Sequence, residues 1–163
     1  MAKCALDSYI IYFLPYIFRW FFGLVLIHYN DIYPVNVDDW KCVTERHPEI
    51  QEIVDLTFAW KVCRHVRSNA ILIARDGRTL GVGAGQMNRV GSANIALNSA
   101  DVSGAALASD GFFPFGDTVR LAHEYGIKAV IQPGGSIKDQ DSIDVCNDLG
   151  MTMILTGTRH FLH

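Results

Sequence analysis

The stretch "GAALASD" (residues 104–110), followed by "DTVRLAHEYG" (117–126) and "IKAVIQPGG" (127–135), decides the fold class of this chain. A short apolar run without polar alternation predicts a strand that is buried on both faces. The middle stretch predicts a helix closed by Gly126, because glycine readily adopts the left-handed conformation that ends many helices. A buried strand, a glycine-capped helix and another buried strand in this order predict an α/β fold.

The same alternation continues on both sides of this unit. A helix over 139–150 and a strand over 151–157 are predicted downstream. Upstream, two apolar runs between residues 70 and 84 surround the turn Asp76-Gly77 and predict a β-hairpin. A further helix is predicted over 89–100. The chain is therefore expected to form a layered α-β-α domain with a parallel or mixed sheet.

A long helix is predicted for "PEIQEIVDLTFAWKVCRHVR" (48–67), with Pro48 at its first position. Acidic residues lie near its start and basic residues near its end, which suits the helix dipole. Its apolar residues recur at helical spacing over a broad arc, so a wide buried face is expected. These residues are Ile50, Ile53, Val54, Leu56, Phe58, Trp60 and Cys63.

Composition excludes some classes of partner. The chain has 163 residues, of which half are hydrophobic and 19% are charged, and its formal net charge is −3. This balance is typical of a globular domain and gives no electrostatic basis for binding nucleic acid. The four cysteines are scattered without metal-ligand spacing, so free thiols in a reducing compartment are expected.

The apolar stretch at 9–29 stands apart from the rest of the chain. It contains 21 residues, about the number that spans a membrane, but Pro15 and Arg19 interrupt it. Three interpretations are open: a segment of a soluble protein, a membrane tether, or a targeting signal. The first is favoured. We accordingly expect an atypical apolar N-terminal segment at 1–38 and the α/β domain at 39–163.

The loops that follow the predicted strands carry the chemistry that indicates a site. "SDGFFPFGD" (109–117) places three aromatic rings around Pro114, in a segment too broken for a helix or strand. Either the loop folds back and buries the rings, or the rings form a wall for a flat ligand. Ligands of open α/β sheets bind where strands end, so a heteroaromatic or nucleotide-like ligand is expected at this edge.

Three other motifs have two interpretations each. "GVGAGQMNR" (81–89) suggests either a phosphate-binding loop or close backbone packing, and packing is favoured because the glycines fall within a strand. "QPGGS" (132–136) suggests a turn or an anion-binding nest, with the turn favoured. "TGTRHFLH" (156–163) is expected to be an exposed tail. The alternative is that it delivers Arg159 to the strand ends, where its planar guanidinium suits a phosphate.

Six segments together resemble a known family: "CVTERHPE", "FAWKVCRHVRSNAI", "GVGAGQMNRV", "ASDGFFPFGDTV", "IQPGGSIKD" and "TGTRHFLH". In this order they are similar to the C-terminal part of the bifunctional purine biosynthesis family. That family combines an aminoimidazole carboxamide ribonucleotide (AICAR) transformylase with an IMP cyclohydrolase. The quoted motifs run from about Asp39 to the end of the chain. The resemblance implies a cytidine-deaminase-like fold and transfer of a formyl group from 10-formyltetrahydrofolate to the AICAR amine.

The resemblance also implies which residues face AICAR. Asn69 would orient the reacting groups of substrate and folate. Arg89 would contact the base portion, and Phe112 would hold the carboxamide. Arg159 would bind the ribonucleotide phosphate, and His163 would close the site.

A second group of residues is implied to face the folate. Val90 would lie beside it, Pro114 and Phe115 would line the pterin slot, and Asp117 would accept hydrogen bonds from the amino-pyrimidine edge. A monovalent cation, expected to be potassium, would lie near Asp110.

The chain departs from the family pattern in ways that limit the implied activity. It contains no Lys-His dipeptide, the family's proton-transfer pair, and no cyclohydrolase domain, and Gly111 stands where the family has alanine. A well-placed acid–base group contributes about 10²–10⁴-fold to a rate. We therefore expect a partial cytoplasmic AICAR formyltransferase that acts as a homodimer or with a separate upstream part. The alternative is an inactive ligand-binding or remnant fragment, with or without a membrane tether.

Overall fold

The computed structural model describes residues 10–13, 16–21, 23–29 and 35–162. The chain divides into two compact units, Met1–Pro34 and Val35–His163. The predicted boundary between 1–38 and 39–163 lies close to this division. The division does not test what kind of segment or domain each part is.

The described part of the first unit is an antiparallel sheet. Strands β1 (Ile10–Phe13), β2 (Tyr16–Phe21) and β3 (Leu24–Tyr29) pair in the order β1-β2-β3. In the described ranges, no helix is long and apolar enough to cross a membrane.

The second unit is built on a six-stranded mixed sheet. It begins with a short 3₁₀ turn at Val37–Asp39. The strands are β4 (Lys41–Cys42), β5 (Ile71–Arg75), β6 (Arg78–Gly83), β7 (Ala106–Ser109), β8 (Ala129–Gln132) and β9 (Thr152–Leu155). The helices are α1 (Ile50–Cys63), α2 (Arg89–Leu97), α3 (Asp117–Glu124) and α4 (Asp139–Asp148). The strand order is β4-β9-β8-β7-β5-β6.

The sheet lies between two layers of helices. Along β5, Ile71 and Ile73 pack in the cluster that contains residues of α2, α3 and α4, whereas Leu72 packs with α1. Strands β7, β8 and β9 are parallel, and β4, β5 and β6 each pair with a neighbour in antiparallel fashion. The prediction of an α/β layered domain with a mixed sheet is confirmed.

Helix α1 is shorter than predicted and buries a narrower face. Pro48 precedes it rather than opening it, and the backbone N–H of Glu49 donates to Glu52 Oε2 at 2.9 Å. Leu56 is fully buried, but Ile50 is 84% exposed. The predicted wide buried face is wrong for three residues, because only one side of the helix rests on the sheet. The exposed apolar residues are Ile50, Ile53 and Val54.

The predicted hairpin forms, and it packs closely against α2. Asp76 and Gly77 both have positive φ, which matches the right-handed twist of a two-residue hairpin. A Cβ added at Gly81 would lie 2.0 Å from the carbonyl oxygen of Ala96, and one at Gly83 would lie 1.9 Å from that of Ser92. The glycines of "GVGAG" therefore permit close backbone packing, as favoured from the sequence.

Candidate functional site

The candidate site lies at one edge of the sheet, which we call the strand-end edge. It consists of the loop before β5 and the loops after β6, β7, β8 and β9. Because β7, β8 and β9 are parallel, their carboxyl ends meet there. The start of β5 joins them, since Ile71 pairs with both Ser109 and Gly83. The expectation that the strand-end loops gather at one edge is confirmed.

The loop "SDGFFPFGD" buries only one of its three rings, and the ligand wall remains a prediction. Phe113 is fully buried in the core, and its backbone N–H donates to Gln132 Oε1 at 2.8 Å. Phe112 and Pro114 are half-buried, whereas Phe115 is 50% exposed. One ring thus anchors the loop, and the flanking rings remain at the surface.

Arg89 and Asp110 form the electrostatic centre of the edge. Arg89 Nη2 lies 3.1 Å from Asp110 Oδ1, and Arg89 Nε donates to Ser109 Oγ at 3.1 Å. Ser109 Oγ in turn donates to the carbonyl of Gly111 at 2.7 Å. The Asp110 side chain is fully buried, and the Arg89 side chain is only 12% exposed. Hydrogen bonds between ionised groups are stronger than neutral ones, so this arrangement holds the guanidinium in place.

The second oxygen of Asp110 is left without a partner. Asp110 Oδ2 is buried and accepts no hydrogen bond within the described part of the chain. An ionised carboxylate is an acceptor only, and a buried acceptor without a donor is costly. Its surroundings therefore fit a cation or a donated hydrogen bond at this oxygen.

Asn69 lies at the start of β5, beside the first turn of α2. Its Nδ2 donates to the carbonyl of Gln86 at 2.9 Å, and its own carbonyl accepts from Ser92 Oγ at 2.7 Å. Val90 is half-buried in the first turn of α2, next to Arg89. These contacts join the loops that flank β5 and β6.

The C-terminal segment is bonded to the rest of the domain rather than frayed, which corrects the favoured prediction, although Arg159 and Phe161 remain exposed. The backbone N–H of His160 donates to the Asp110 carbonyl at 3.1 Å. Ser68 and Leu162 exchange two hydrogen bonds, at 2.8 and 3.0 Å. The His160 ring lies 4.8 Å from the ring of Trp60. The tail is held because its backbone bonds to two loops, and His163 lies outside the described residues.

Arg159 brings a second guanidinium to the edge. Its Cζ lies 4.8 Å from the centroid of Phe112, and its Nη2 lies 3.5 Å from the position of a Cβ added at Gly135. The backbone N–H of Gly135 donates to Asp139 Oδ2 at 2.7 Å, so that amide serves the turn rather than an anion. The preference for a turn in "QPGGS" agrees with this contact.

Asp117 is set apart from these residues. It is exposed at the start of α3, and its Oδ1 accepts the backbone N–H of Thr118 at 2.7 Å. It lines a cavity of about 430 Å³ between α3 and α4. Lys138 Nζ lies 4.5 Å above the ring of Phe115, near the start of α4. Within the described ranges, Asp117 forms no hydrogen bond or ion pair with Arg89 or Asp110.

The buried thiols of Cys63 and Cys146 are not nucleophiles at neutral pH. Burial raises the pKa of the Cys63 thiol above its ordinary value, the Asp110 carboxylate adds to the rise, and the Arg89 guanidinium opposes it. Burial also raises the pKa of Cys146 to about 12. Both sulfurs therefore stay protonated at neutral pH. Over the residues that the structure describes, no cluster of three or more His, Cys, Asp or Glu could hold a metal ion.

Sequence reasoning missed two polar residues that organise the edge. Ser109 and Gln132 are fully buried at the ends of otherwise apolar strands, where Ser109 bonds Arg89 and Gln132 bonds the backbone of Phe113. The signal was a polar residue ending each run, "ALAS" and "AVIQ". A buried polar group requires a partner, so each of these residues was a candidate for fixing a neighbouring loop.

A family model and many curated proteins are similar to this chain. A family model described as "AICARFT/IMPCHase bienzyme" matches residues 15–99, a range that begins upstream of Asp39. "Bifunctional purine biosynthesis protein PurH" of Synechococcus sp. (strain CC9311) is 62% identical over 143 residues, which are 86% of this chain and 27% of the relative. The protein of the same description from Prochlorococcus marinus (strain MIT 9301) is 59% identical over 143 residues, 28% of its length. The chain thus spans about a quarter of the length of these curated relatives.

Two solved structures are more distantly similar. The dCMP deaminase from the cyanophage S-TIM5 is 20% identical with a TM-score of 0.42, covering 66% of this chain and 98% of its own. A diaminohydroxyphosphoribosylaminopyrimidine deaminase/5-amino-6-(5-phosphoribosylamino)uracil reductase from Thermotoga maritima is 19% identical with a TM-score of 0.40, covering 63% and 34%. At these TM-scores neither similarity carries an argument about function.

Proposed function

The chain belongs to the AICARFT/IMPCHase bienzyme family, and we propose that it forms the AICAR-binding and folate-binding part of an AICAR transformylase. In this proposal the strand-end edge holds AICAR beside 10-formyltetrahydrofolate, whose formyl group is transferred to the AICAR amine. Formyl transfer itself requires the proton-transfer pair, which this chain does not contain. The chain alone is therefore a binding partner for both ligands and at most a weak catalyst.

The single observation that carries the proposal is the pair of guanidinium groups at the strand-end edge. Arg89 is locked between Ser109 and Asp110, and the exposed Arg159 stacks on Phe112. A fixed guanidinium and an exposed one suit a ligand that has a polar planar base and a phosphate. We assign the base portion of AICAR to Arg89, its carboxamide to Phe112 and its phosphate to Arg159. Asn69 is proposed to orient the reacting groups.

The folate side is proposed to lie along the outer part of the same loop. Phe115 offers a half-exposed ring for the pterin beside Pro114, and the half-buried Val90 of α2 is assigned to the folate by the family resemblance alone. Aromatic rings prefer offset stacking on flat heterocycles, which supports this assignment. The exposed carboxylate of Asp117 can accept N–H donors from the amino-pyrimidine edge. Lys138 would have to leave the Phe115 ring, or stack beside the ligand, when the pterin binds.

A monovalent cation is proposed at Asp110. The buried and unpartnered Oδ2 supports it, because Arg89 neutralises only the other oxygen. Such a cation would supply positive charge to the second carboxylate oxygen. Asp110 would thereby keep the loop and the docked C-terminal segment together, since its carbonyl accepts the His160 N–H.

The proposal extends to partners and location. We propose a cytoplasmic protein that acts as a homodimer or together with a separate polypeptide carrying the Lys-His segment.

Titration of the purified full chain with AICAR, followed calorimetrically, tests the proposal. Arg159→Ala is expected to weaken AICAR binding about tenfold or more, because a charge-assisted phosphate contact is lost. The matched control is Arg78→Ala, which removes an exposed arginine at the opposite end of the hairpin and should leave affinity unchanged. A folded wild-type chain that does not bind AICAR at high micromolar concentration contradicts the proposal.

Titration with a folate analogue tests the proposed folate-binding residues. Asp117→Ala is expected to weaken binding of the analogue more than binding of AICAR. Asp148→Ala is the control, because Asp148 lines the same cavity as Asp117 from α4. Equal losses for both ligands in the Asp117 variant would show that the two subsites are wrongly divided.

A further inference from the structure

His160 is the one buried residue of the chain between 157 and 162. It is 5% exposed, whereas Arg159 and Phe161 on either side of it are exposed. Its ring lies 4.8 Å from the ring of Trp60, at an angle of 56°, and Trp60 is itself only 1% exposed. Trp60 belongs to α1 and to the core cluster between that helix and the sheet. His160 therefore connects the C-terminal segment to the layer of α1.

The two neighbours of His160 contact residues of the candidate site instead. Arg159 Cζ lies 4.8 Å from the ring centroid of Phe112, and the ring centroid of Phe161 lies 6.0 Å from Arg89 Cζ. Consecutive side chains of an extended segment point to opposite sides, which fits this alternation of exposed and buried residues. Burial of His160 against α1 therefore directs its two neighbours toward the strand-end edge.

Burial of the His160 ring ties the segment down more firmly than its hydrogen bonds do. The backbone N–H of His160 donates to the Asp110 carbonyl, and Ser68 and Leu162 exchange two hydrogen bonds. Water replaces such bonds at little net cost when a chain end detaches. A ring packed against an indole and removed from water has no comparable substitute in the detached state. The contact with Trp60 is therefore the anchor of the segment.

We propose that His160 is a positioning residue, whose contact with Trp60 holds the C-terminal segment on the domain and keeps Arg159 beside Phe112. For its ligand this inference rests on the proposed function, in which Arg159 binds the phosphate of AICAR. His160 itself touches no ligand in this proposal. Without the anchor the segment would detach for part of the time, and the affinity would fall with the attached fraction.

The δ-methylene protons of Arg159 report its position without any ligand. An aromatic ring shifts the NMR signals of protons near its face, so this signal should be ring-shifted in a chain with isotope-labelled arginine. Its loss in Arg159→Lys assigns it, and Phe112→Leu gives its value without the ring. His160→Ala should move the signal most of the way to that value, whereas His65→Ala, at an exposed histidine beyond α1, should leave it unchanged. An unmoved signal in His160→Ala overturns the inference.

Titration with AICAR separates positioning of Arg159 from a general loss of structure. His160→Ala should weaken AICAR binding about tenfold, as Arg159→Ala does, because the phosphate contact is lost. In the Arg159→Ala background the same substitution should change the affinity less than about twofold, because the guanidinium that it would misplace is gone. His160→Leu keeps an apolar side chain against Trp60 and should bind within about threefold of the wild-type chain.

Three outcomes of these titrations contradict the inference. The first is a tenfold loss of affinity in the Arg159→Ala background. The second is a His160→Leu chain that binds as weakly as His160→Ala. The third is a His160→Ala chain that does not fold, since the contact would then be needed by the whole domain and not by the segment alone.

The NMR measurement also separates this inference from the proposed function. Loss of the ring shift of Arg159 in His160→Ala, with no AICAR binding by the wild-type chain, would support the anchor and reject the proposed ligand. AICAR binding that His160→Ala leaves unchanged, with an unmoved Arg159 signal, would support the ligand and reject the anchor.

Discussion

The substitution Arg89→Ala measures how strongly the buried ion pair stabilises the strand-end edge. Asp110 is fully buried and the Arg89 side chain is 12% exposed, so solvent screens this pair little. Removing one partner of a buried pair typically costs about 3–5 kcal/mol, because the other charge is left uncompensated. The free energy of unfolding of a domain is about 5–15 kcal/mol, so this loss would be a large fraction of it.

The companion variant Arg89→Ala/Asp110→Asn removes both charges. The amide keeps the shape of the carboxylate but not its charge, so the penalty for a lone buried ion disappears. The double variant should therefore be more stable than Arg89→Ala by about 1–3 kcal/mol. Urea denaturation in potassium-free buffer, followed by tryptophan fluorescence, gives the three free energies of unfolding.

The control variant is Arg78→Ala. Arg78→Ala removes an exposed arginine and should change the free energy of unfolding by less than about 0.5 kcal/mol. A cost below about 1 kcal/mol for Arg89→Ala would mean that the ion pair is not buried as described. A double variant no more stable than Arg89→Ala would mean that the two residues do not act on each other.

Three further outcomes are expected. Potassium chloride should raise the melting temperature above that measured in choline chloride at equal ionic strength. At a tenfold excess of potassium over its Kd, the rise corresponds to about 1.4 kcal/mol. The rise should vanish in Asp110→Asn, and an equal rise in that variant rejects the cation. Phe113→Ala should cost about 3–5 kcal/mol of stability in urea, whereas Phe115→Ala should cost under about 1 kcal/mol and weaken folate-analogue binding; the reverse order would misplace the two rings. In a variant whose other two cysteines are serine, Cys63 and Cys146 should resist iodoacetamide at pH 8 without denaturant. Burial raises the pKa of both thiols and keeps them protonated. Rapid labelling of the folded protein, detected by mass spectrometry, would contradict that burial.

The strands and helices could be predicted because their signals are local. Runs such as "ALAS" and "AVIQ" contain too few polar residues to face water, and Gly126 has the positive φ expected after a helix. The strand order could not be predicted in the same way. Strand β4 pairs with β9, more than a hundred residues later in the chain, and no local pattern encodes that pairing.

The wrong predictions for α1 and for the C-terminal segment have a common physical origin. The apolar arc of α1 predicts burial, but whether Ile50 is covered depends on which elements pack against the helix. The C-terminal segment is polar enough for a frayed tail, yet bonds to Ser68 and Asp110 hold it. Both outcomes depend on contacts between distant parts of the chain. The roles of Asn69, Arg89 and Phe112 came from the family resemblance. The signal for Ser109 and Gln132 was only a polar residue at the end of an apolar strand.

The close fit between β6 and α2 has a consequence for reading mutational data on this family. Because the helix touches bare strand backbone at Gly81 and Gly83, the spacing between the two elements cannot be reduced, and any larger residue must increase it. Arg89 is the first residue of that helix, so its Cα is carried along with every such change. A substitution at Gly83 would then resemble the loss of a ligand-contacting residue in a binding assay, although residue 83 itself would touch no ligand.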